Sequence, residues 1–141
     1  MKLVFDTNIW LSALFWEGDA SRLIDLASAG KFKILISNDI LLEIDKVLIR
    51  EDKFQKFLVE RDKSKEDFFK AVLALSIIVD VKTKLDVIKE DPSDNMILEL
   101  GFDGQADYII SYNKHLLKLK EFERIKILTP EEFLNSVGWI E

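Results

Sequence analysis

The chain contains no cysteine, which removes thiolate catalysis, cysteine-based zinc sites and disulfide frameworks, and fits a reducing, cytoplasmic setting. Proline and glycine are sparse, with two and five in 141 residues. Neither a GxGxxG nor a GxxxxGK loop is present, which disfavours dinucleotide or ATP binding. No apolar run approaches the roughly 18 residues of a membrane span. The first acidic residue, Asp6, comes too early for the apolar region of a signal peptide. Positive charge is also in deficit, with 20 Lys and Arg against 26 Asp and Glu, a formal charge of -6. That balance argues against a protein that holds nucleic acid by general phosphate neutralisation. It leaves open an enzyme whose carboxylates recruit divalent cations, because bound ions invert the local field a phosphate meets.

What is present is an apolar content of 48%, enough for one domain spanning 1–141 to bury a core without staples. Apolar runs at 2–5, 34–36, 76–81, 108–110 and 125–128 read as five strands. Between them lie helical patterns: 9–16 and 20–29, with Gly30 as a helix end, and a helix capped by Ser37 or Asn38. Two surface helices fit 51–70, and further helices fit 91–100 and 113–120. Thr129-Pro130-Glu131-Glu132 has the form of a capping box with proline at the first helical position. Strands alternating with helices predict an α/β fold with a mostly parallel sheet covered on both faces. No internal repeat or linker interrupts the pattern.

In such a sheet the ligand site lies beyond the carboxyl ends of the strands. Asp6 follows the first strand, and Asn113 follows 108–110 after Ser111 and Tyr112. Asp91 and Asp94 open a helix that begins at the same edge. Glu43 falls between Ile40 and Val47, at the border of its helix's apolar face. Asp6, Glu43, Asp94 and the amide of Asn113 are therefore candidates for one site. Like-charged carboxylates held together call for a cation, and hard oxygen donors with open water positions suit Mg²⁺ or Mn²⁺. Metal-assisted phosphodiester hydrolysis is the corresponding chemistry. Each residue also has a purely structural account: Asp6 as a turn residue, Glu43 as a solvated charge, and Asp91-Pro92-Ser93-Asp94 as a well-formed helix start. Asp107 reads as a solvent-facing or turn-capping residue, and His115, the sole histidine, as a surface position. Trp10, Trp16 and Trp139 suit core packing or an interface.

VFDTN at Asp6, LLEI at Glu43, DPSDN at Asp94, ADYIIS before Asn113, and ILTPEEFL near the end together resemble the PIN-domain family. More narrowly, they are similar to its toxin branch in toxin–antitoxin pairs, the VapC-like ribonucleases. The resemblance runs from Leu3 to about Leu134 and rests on the order and spacing of motifs. It implies a three-layer α/β/α fold around a five-stranded, mostly parallel sheet. It also implies a Mg²⁺- or Mn²⁺-dependent endoribonuclease site of four acids, and often a homodimer bound by a small antitoxin protein. Asp6, Glu43 and Asp94 match the first three acids, and Thr7, Asn8 and Ser111 match small polar positions around them. The fourth acid falls on Asn113. An amide oxygen can ligate Mg²⁺ but lacks the charge that draws it, with Asp91 and Asp107 the nearby acids that stand off the matching position. Two readings follow: a metal-dependent ribonuclease, and a catalytically weakened module of the same fold that binds a protein or RNA. A phosphoryl-transfer enzyme with Asp6 as nucleophile is a third, disfavoured by Asn8 where haloacid-dehalogenase-like enzymes carry a second aspartate.

Overall fold

In the computed structural model, which describes residues 1–138, β1 (Lys2–Phe5) is the inner strand on which the sheet is built. Leu3, Val4 and Phe5 are all solvent-free, because both faces of a parallel strand are covered. The other strands are β2 (Lys33–Ile36), β3 (Ser76–Ile78), β4 (Tyr108–Ile110), β5 (Glu121–Phe122) and β6 (Ile125–Leu128). Their order is β3-β2-β1-β4-β6-β5, and every pairing is parallel except β5 with β6. The sequence predicts five strands, and the structure adds the two-residue β5. It escapes periodicity because it is an arm of a tight hairpin turning at Glu123 and Arg124, both with positive φ and neither the usual glycine or asparagine.

The helices are α1 (Thr7–Phe15), α2 (Asp19–Ser28), α3 (Asn38–Arg50), α4 (Asp52–Glu60), α5 (Lys65–Leu75), α6 (Asn95–Gly104), α7 (Lys114–Leu117) and α8 (Pro130–Val137). The expected capping box of α8 is present, with Thr129 and Glu132 exchanging hydrogen bonds. None of the helices among the described residues is long and apolar enough to cross a membrane. Register separates the two faces of the sheet. Val4 pairs with Leu35 and Ile109, and these side chains lie on one face, where α6 crosses β1, β2 and β4. Gly101 and Gly104 permit that approach, since a Cβ at Gly104 would stand 2.5 Å from Leu35 Cδ1 and one at Gly101 3.2 Å from Ile109 Cδ1. On the opposite face Phe5 packs against Trp10 of α1 and Tyr108 against Phe133 of α8. The result is the expected three-layer α/β/α arrangement.

The end of α1 meets α4 and α5 through an aromatic cluster in which Phe15 contacts Phe54, Phe57 and Phe68. Trp10 is fully buried, whereas Trp16 is 42% exposed at the rim of this cluster. Trp139 lies outside the described residues.

The helix expected over 113–120 is only Lys114–Leu117, and the second of the surface helices expected over 51–70 runs on to Leu75; two further boundaries shift for physical reasons. The apolar run predicts a strand over 76–81, but β3 stops at Ile78 because its partner β2 ends at Ile36, where Ser37 caps α3. Beyond it the chain runs back along α6 without regular structure, and α6 supplies its hydrogen bonds. Asp103 accepts from the backbone of Lys82 and Thr83, Glu99 from Leu85, and Asn95 from Val87 and Ile88. These acceptors, four residues apart, share one face of the helix. The helix predicted over 91–100 begins as a 3-10 turn at Pro92–Asp94, and α6 continues to Gly104.

Asn95 ties this segment together. Its Oδ1 accepts from Val87 and Ile88 N–H at 3.0 and 2.9 Å, and its Nδ2 donates to the Ile88 and Pro92 carbonyls at 2.9 and 3.1 Å. It is buried and adjoins Asp94. Asn95→Ala leaves buried amide and carbonyl groups unmatched, and urea unfolding is expected to show a loss of about 3 kcal/mol. A loss within 0.5 kcal/mol, roughly the range of an ordinary surface substitution, would contradict the role assigned to Asn95.

Candidate functional site

Among the described residues five helices begin at the carboxyl edge of the sheet; α8, after β6, is capped by Thr129, and of the other four, three are capped by polar side chains that likewise follow a strand. Asp6 caps α1, accepting from Ile9 N–H at 2.9 Å. Ser37 caps α3 after β2, accepting from Ile40 N–H. Asn113 caps α7, its Oδ1 accepting from His115 N–H at 2.8 Å. The fourth, α6, carries Asp94 at its cap position, yet no backbone N–H of that helix bonds its carboxylate. Asp94 is thereby left facing the edge.

Between these helix starts lies an open cleft of about 160 Å³. Asp6, Thr7 and Asn8 line it from the start of α1, and Ile40, Glu43, Val47 and Arg50 from α3. Asp91, Ser93, Asp94 and Asn113 complete its polar wall. Every polar position that the resemblance matches to this site lines the cleft except Ser111. That residue is fully buried beneath it, where its hydroxyl donates to Asp6 Oδ2 and accepts from Asn113 N–H. Asp91 sits in the cleft wall and also folds its own turn, accepting from Ser93 N–H and Oγ. Asp107 does not belong there. Its carboxylate accepts from Lys2 N–H at 2.8 Å, at the opposite end of β1.

The carboxylates are held against their electrostatic preference. Burial pushes the Asp6 carboxyl up from 3.8 to about 6; the Ser111 and Ile9 hydrogen bonds oppose this, and the charge of Asp94 adds to it. Asp94 is raised by burial and by the charge of Asp91, with His115 and Asn113 opposing. Such carboxylates are stabilised by a cation brought to them. Their chemistry, hard oxygens at the mouth of a water-accessible cleft, is what Mg²⁺ and Mn²⁺ accept. Among the described residues no three Asp, Glu or His side chains stand together closely enough to hold an ion as they are placed. That spacing still fits Mg²⁺, which keeps several waters and takes one or two carboxylates plus substrate oxygens in place of an all-protein cage.

Asn113 does not present the oxygen that the sequence reading offers to an ion. Its Oδ1 is committed to His115 N–H, and its Nδ2 donates to both Asp94 oxygens at 3.1 Å. Reversing the amide would set its NH₂ against the His115 N–H and its oxygen against the Asp94 carboxylate, so the hydrogen bonds fix the orientation. Asn113 thus acts here as a donor that steadies Asp94. His115, expected on the surface, stands with Nδ1 3.5 Å from Asp94 Oδ2. Sequence reading also passed over Arg50. Its signal was available, because Glu43, Val47 and Arg50 recur at helical spacing on one face.

Comparison with known proteins agrees with this architecture. A search of curated proteins finds no match. Among solved structures, the chain is similar to one in a crystal structure of VapBC2 from Rickettsia felis bound to a DNA fragment from its promoter. The TM-score is 0.61 at 16% identity, over 90% of this chain and 97% of that one. At that identity the likeness concerns the fold. The family model described as PIN domain matches residues 2–115, a span that holds β1 to β4 and every residue of the cleft, and on that match this chain belongs to the PIN-domain family.

Proposed function

We propose that the cleft is the centre of a Mg²⁺- or Mn²⁺-dependent endoribonuclease of the toxin–antitoxin type. One observation carries the reading: Asp6 and Asp94, both with raised carboxyl pKa, face a single cleft with Glu43 and have no Lys or Arg within ion-pair distance among the described residues. Asp6, Glu43 and Asp94 would hold the cation, one or two of them directly and the rest through its waters. When bound it supplies positive charge to a phosphodiester and acidifies water beside it.

The chain's own groups do the rest. Ser111 and Ile9 N–H fix both oxygens of Asp6, so its orientation is set before substrate arrives. Asn113 and His115 hold Asp94. Thr7 and Asn8 offer polar side chains at the cleft mouth, where a phosphate or ribose would lie. The same reading implies an RNA substrate, a small antitoxin protein as partner, a homodimer and a cytoplasmic setting. The VapBC2 structure supports the partner by likeness of fold.

A second reading, favoured by the Asn113 Nδ2 bonds to both Asp94 oxygens, is a PIN module with weakened catalysis that acts by binding protein or RNA. The two separate in one assay of purified protein on single-stranded RNA with Mg²⁺ or Mn²⁺. The ribonuclease reading expects cleavage that EDTA and Asp6→Ala both abolish. No cleavage by wild type, with Asp6→Ala behaving identically, overturns it in favour of the second.

A further inference from the structure

Among the described residues, Arg50 is the only Lys or Arg that lines the acidic cleft. It closes α3, two helical turns beyond Glu43 with Val47 between them, so all three share one face of that helix. Although Asp6, Glu43, Asp91 and Asp94 line the same cleft, Arg50 is exposed and forms no ion pair or hydrogen bond among the described residues. A guanidinium that borders several carboxylates and pairs with none is available to an incoming anion. As a cation in the last turn it also faces the negative end of the α3 dipole, but that role does not require it to line the cleft.

The cleft creates a need that Arg50 meets. A cation held by Asp6, Glu43 and Asp94 would neutralise the phosphate undergoing reaction and would leave the neighbouring phosphates of the strand facing a protein of net charge -6. Seven residues of helix place the Arg50 backbone about 10 Å along the axis from that of Glu43. Its reach therefore extends beyond the reacting phosphate. The planar fork of a guanidinium binds two phosphate oxygens at once, which an ammonium cannot do.

We infer that Arg50 is a substrate-binding residue that holds a backbone phosphate of the RNA strand adjacent to the scissile one. The inference rests on the ribonuclease reading of the cleft and adds to it a residue outside the acidic set. It makes Arg50 a determinant of substrate affinity, with no part in the chemical step.

The experiment compares wild type, Arg50→Ala and Arg50→Lys on a short, fluorescein-labelled single-stranded RNA. KM and kcat are measured in Mg²⁺. Kd is measured by fluorescence anisotropy in EDTA over a range of KCl concentrations. Arg50→Ala is expected to raise KM and Kd about tenfold with kcat nearly unchanged, and to lower the salt slope of binding by about one. Arg50→Lys, which keeps the charge without the fork, should recover the slope and only part of the affinity. Unchanged KM, Kd and slope in Arg50→Ala, or a loss confined to kcat, overturns the inference while leaving the ribonuclease reading intact. RNA binding by wild type that depends on Arg50, without any cleavage, strikes the ribonuclease reading and sustains the phosphate contact. Arg50 lies exposed at a helix end, and matching melting curves for the three proteins exclude misfolding as the cause of either result.

Discussion

In EDTA at pH 7.5, Asp6→Asn is expected to be more stable than the wild type by about 2 kcal/mol, although it removes a residue at the centre of the site. The Asp6 carboxyl is buried, and its pKa rises from 3.8 to about 6 in the folded chain, a shift that costs the ionised form about 3 kcal/mol. The neutral amide avoids that cost. It keeps the cap on Ile9 N–H but loses the charge-assisted Ser111 bond, which returns about 1 kcal/mol. The sign follows from proton counts. Between roughly pH 4 and 6 the folded wild type binds a proton at Asp6 that the unfolded chain has released, so stability falls as pH rises through this window. Below pH 4 both states are protonated and the wild type has the advantage of the Ser111 bond. Above pH 6 the full cost of ionisation is present. Urea unfolding in EDTA at pH 4 and 7.5 should therefore show the order of the two proteins reversing. Saturating Mg²⁺ or Mn²⁺ should then stabilise the wild type and not the variant, while RNA cleavage by the variant falls about a hundredfold or more. Equal stability at both pH values would mean that Asp6 is not the strained carboxylate described here.

Much of the fold was legible in the sequence because it is written in local chemistry. The run Leu3-Val4-Phe5 before Asp6 is apolar on both alternating faces, which only a strand covered on both sides requires. Thr129-Pro130-Glu131-Glu132 encodes its cap in four residues, and the cap forms as written. What escaped depends on partners distant in sequence. Val79 and Val81 continue the apolar pattern of β3, yet after the Val79 N–H bond to the Ile36 carbonyl β2 has turned into α3, and among the described residues no strand remains to pair with Val81. The three acceptors on α6 that hold this segment are likewise invisible as a group until Asn95, Glu99 and Asp103 are seen to receive its N–H groups.

The candidate site shows the same division. Position relative to strand ends led to Asp6, Asp94 and Asn113, and helical spacing led to Glu43, because topology delivers all of them to one edge. Sequence could not say which atom each presents. A strand-end residue that caps the next helix spends an oxygen on a backbone N–H, as Asp6 and Asn113 both do. A carboxylate has oxygen to spare after that bond. An amide does not, and turns a donor to the cleft. Asp107, four residues before Ser111, lies at the other end of the sheet simply because β4 intervenes.

That difference between amide and carboxylate makes Asn113→Asp the most informative substitution in the chain. The cap survives, since either side chain accepts from His115 N–H, so the helix start is preserved while the charge changes. In place of the Nδ2 that now donates to both Asp94 oxygens at 3.1 Å, a second carboxylate oxygen faces the first. Two like charges at that distance cannot both ionise without a counter-ion, and the metal-free variant is expected to lose about 2 kcal/mol of stability at pH 7.5. The same repulsion is relieved by a divalent cation, so calorimetric titration with Mn²⁺ should show affinity raised about tenfold or more over wild type. Cleavage then tells the two proposed readings apart. A wild type that already cuts RNA, with Asn113→Asp chiefly tightening the metal, means that a donor amide suffices at the fourth position because Asp94 needs only to be held in place. An inactive wild type made active by Asn113→Asp means that the amide silences the site, its NH₂ standing where a cation's charge would otherwise be required, and the folded protein then works by binding alone.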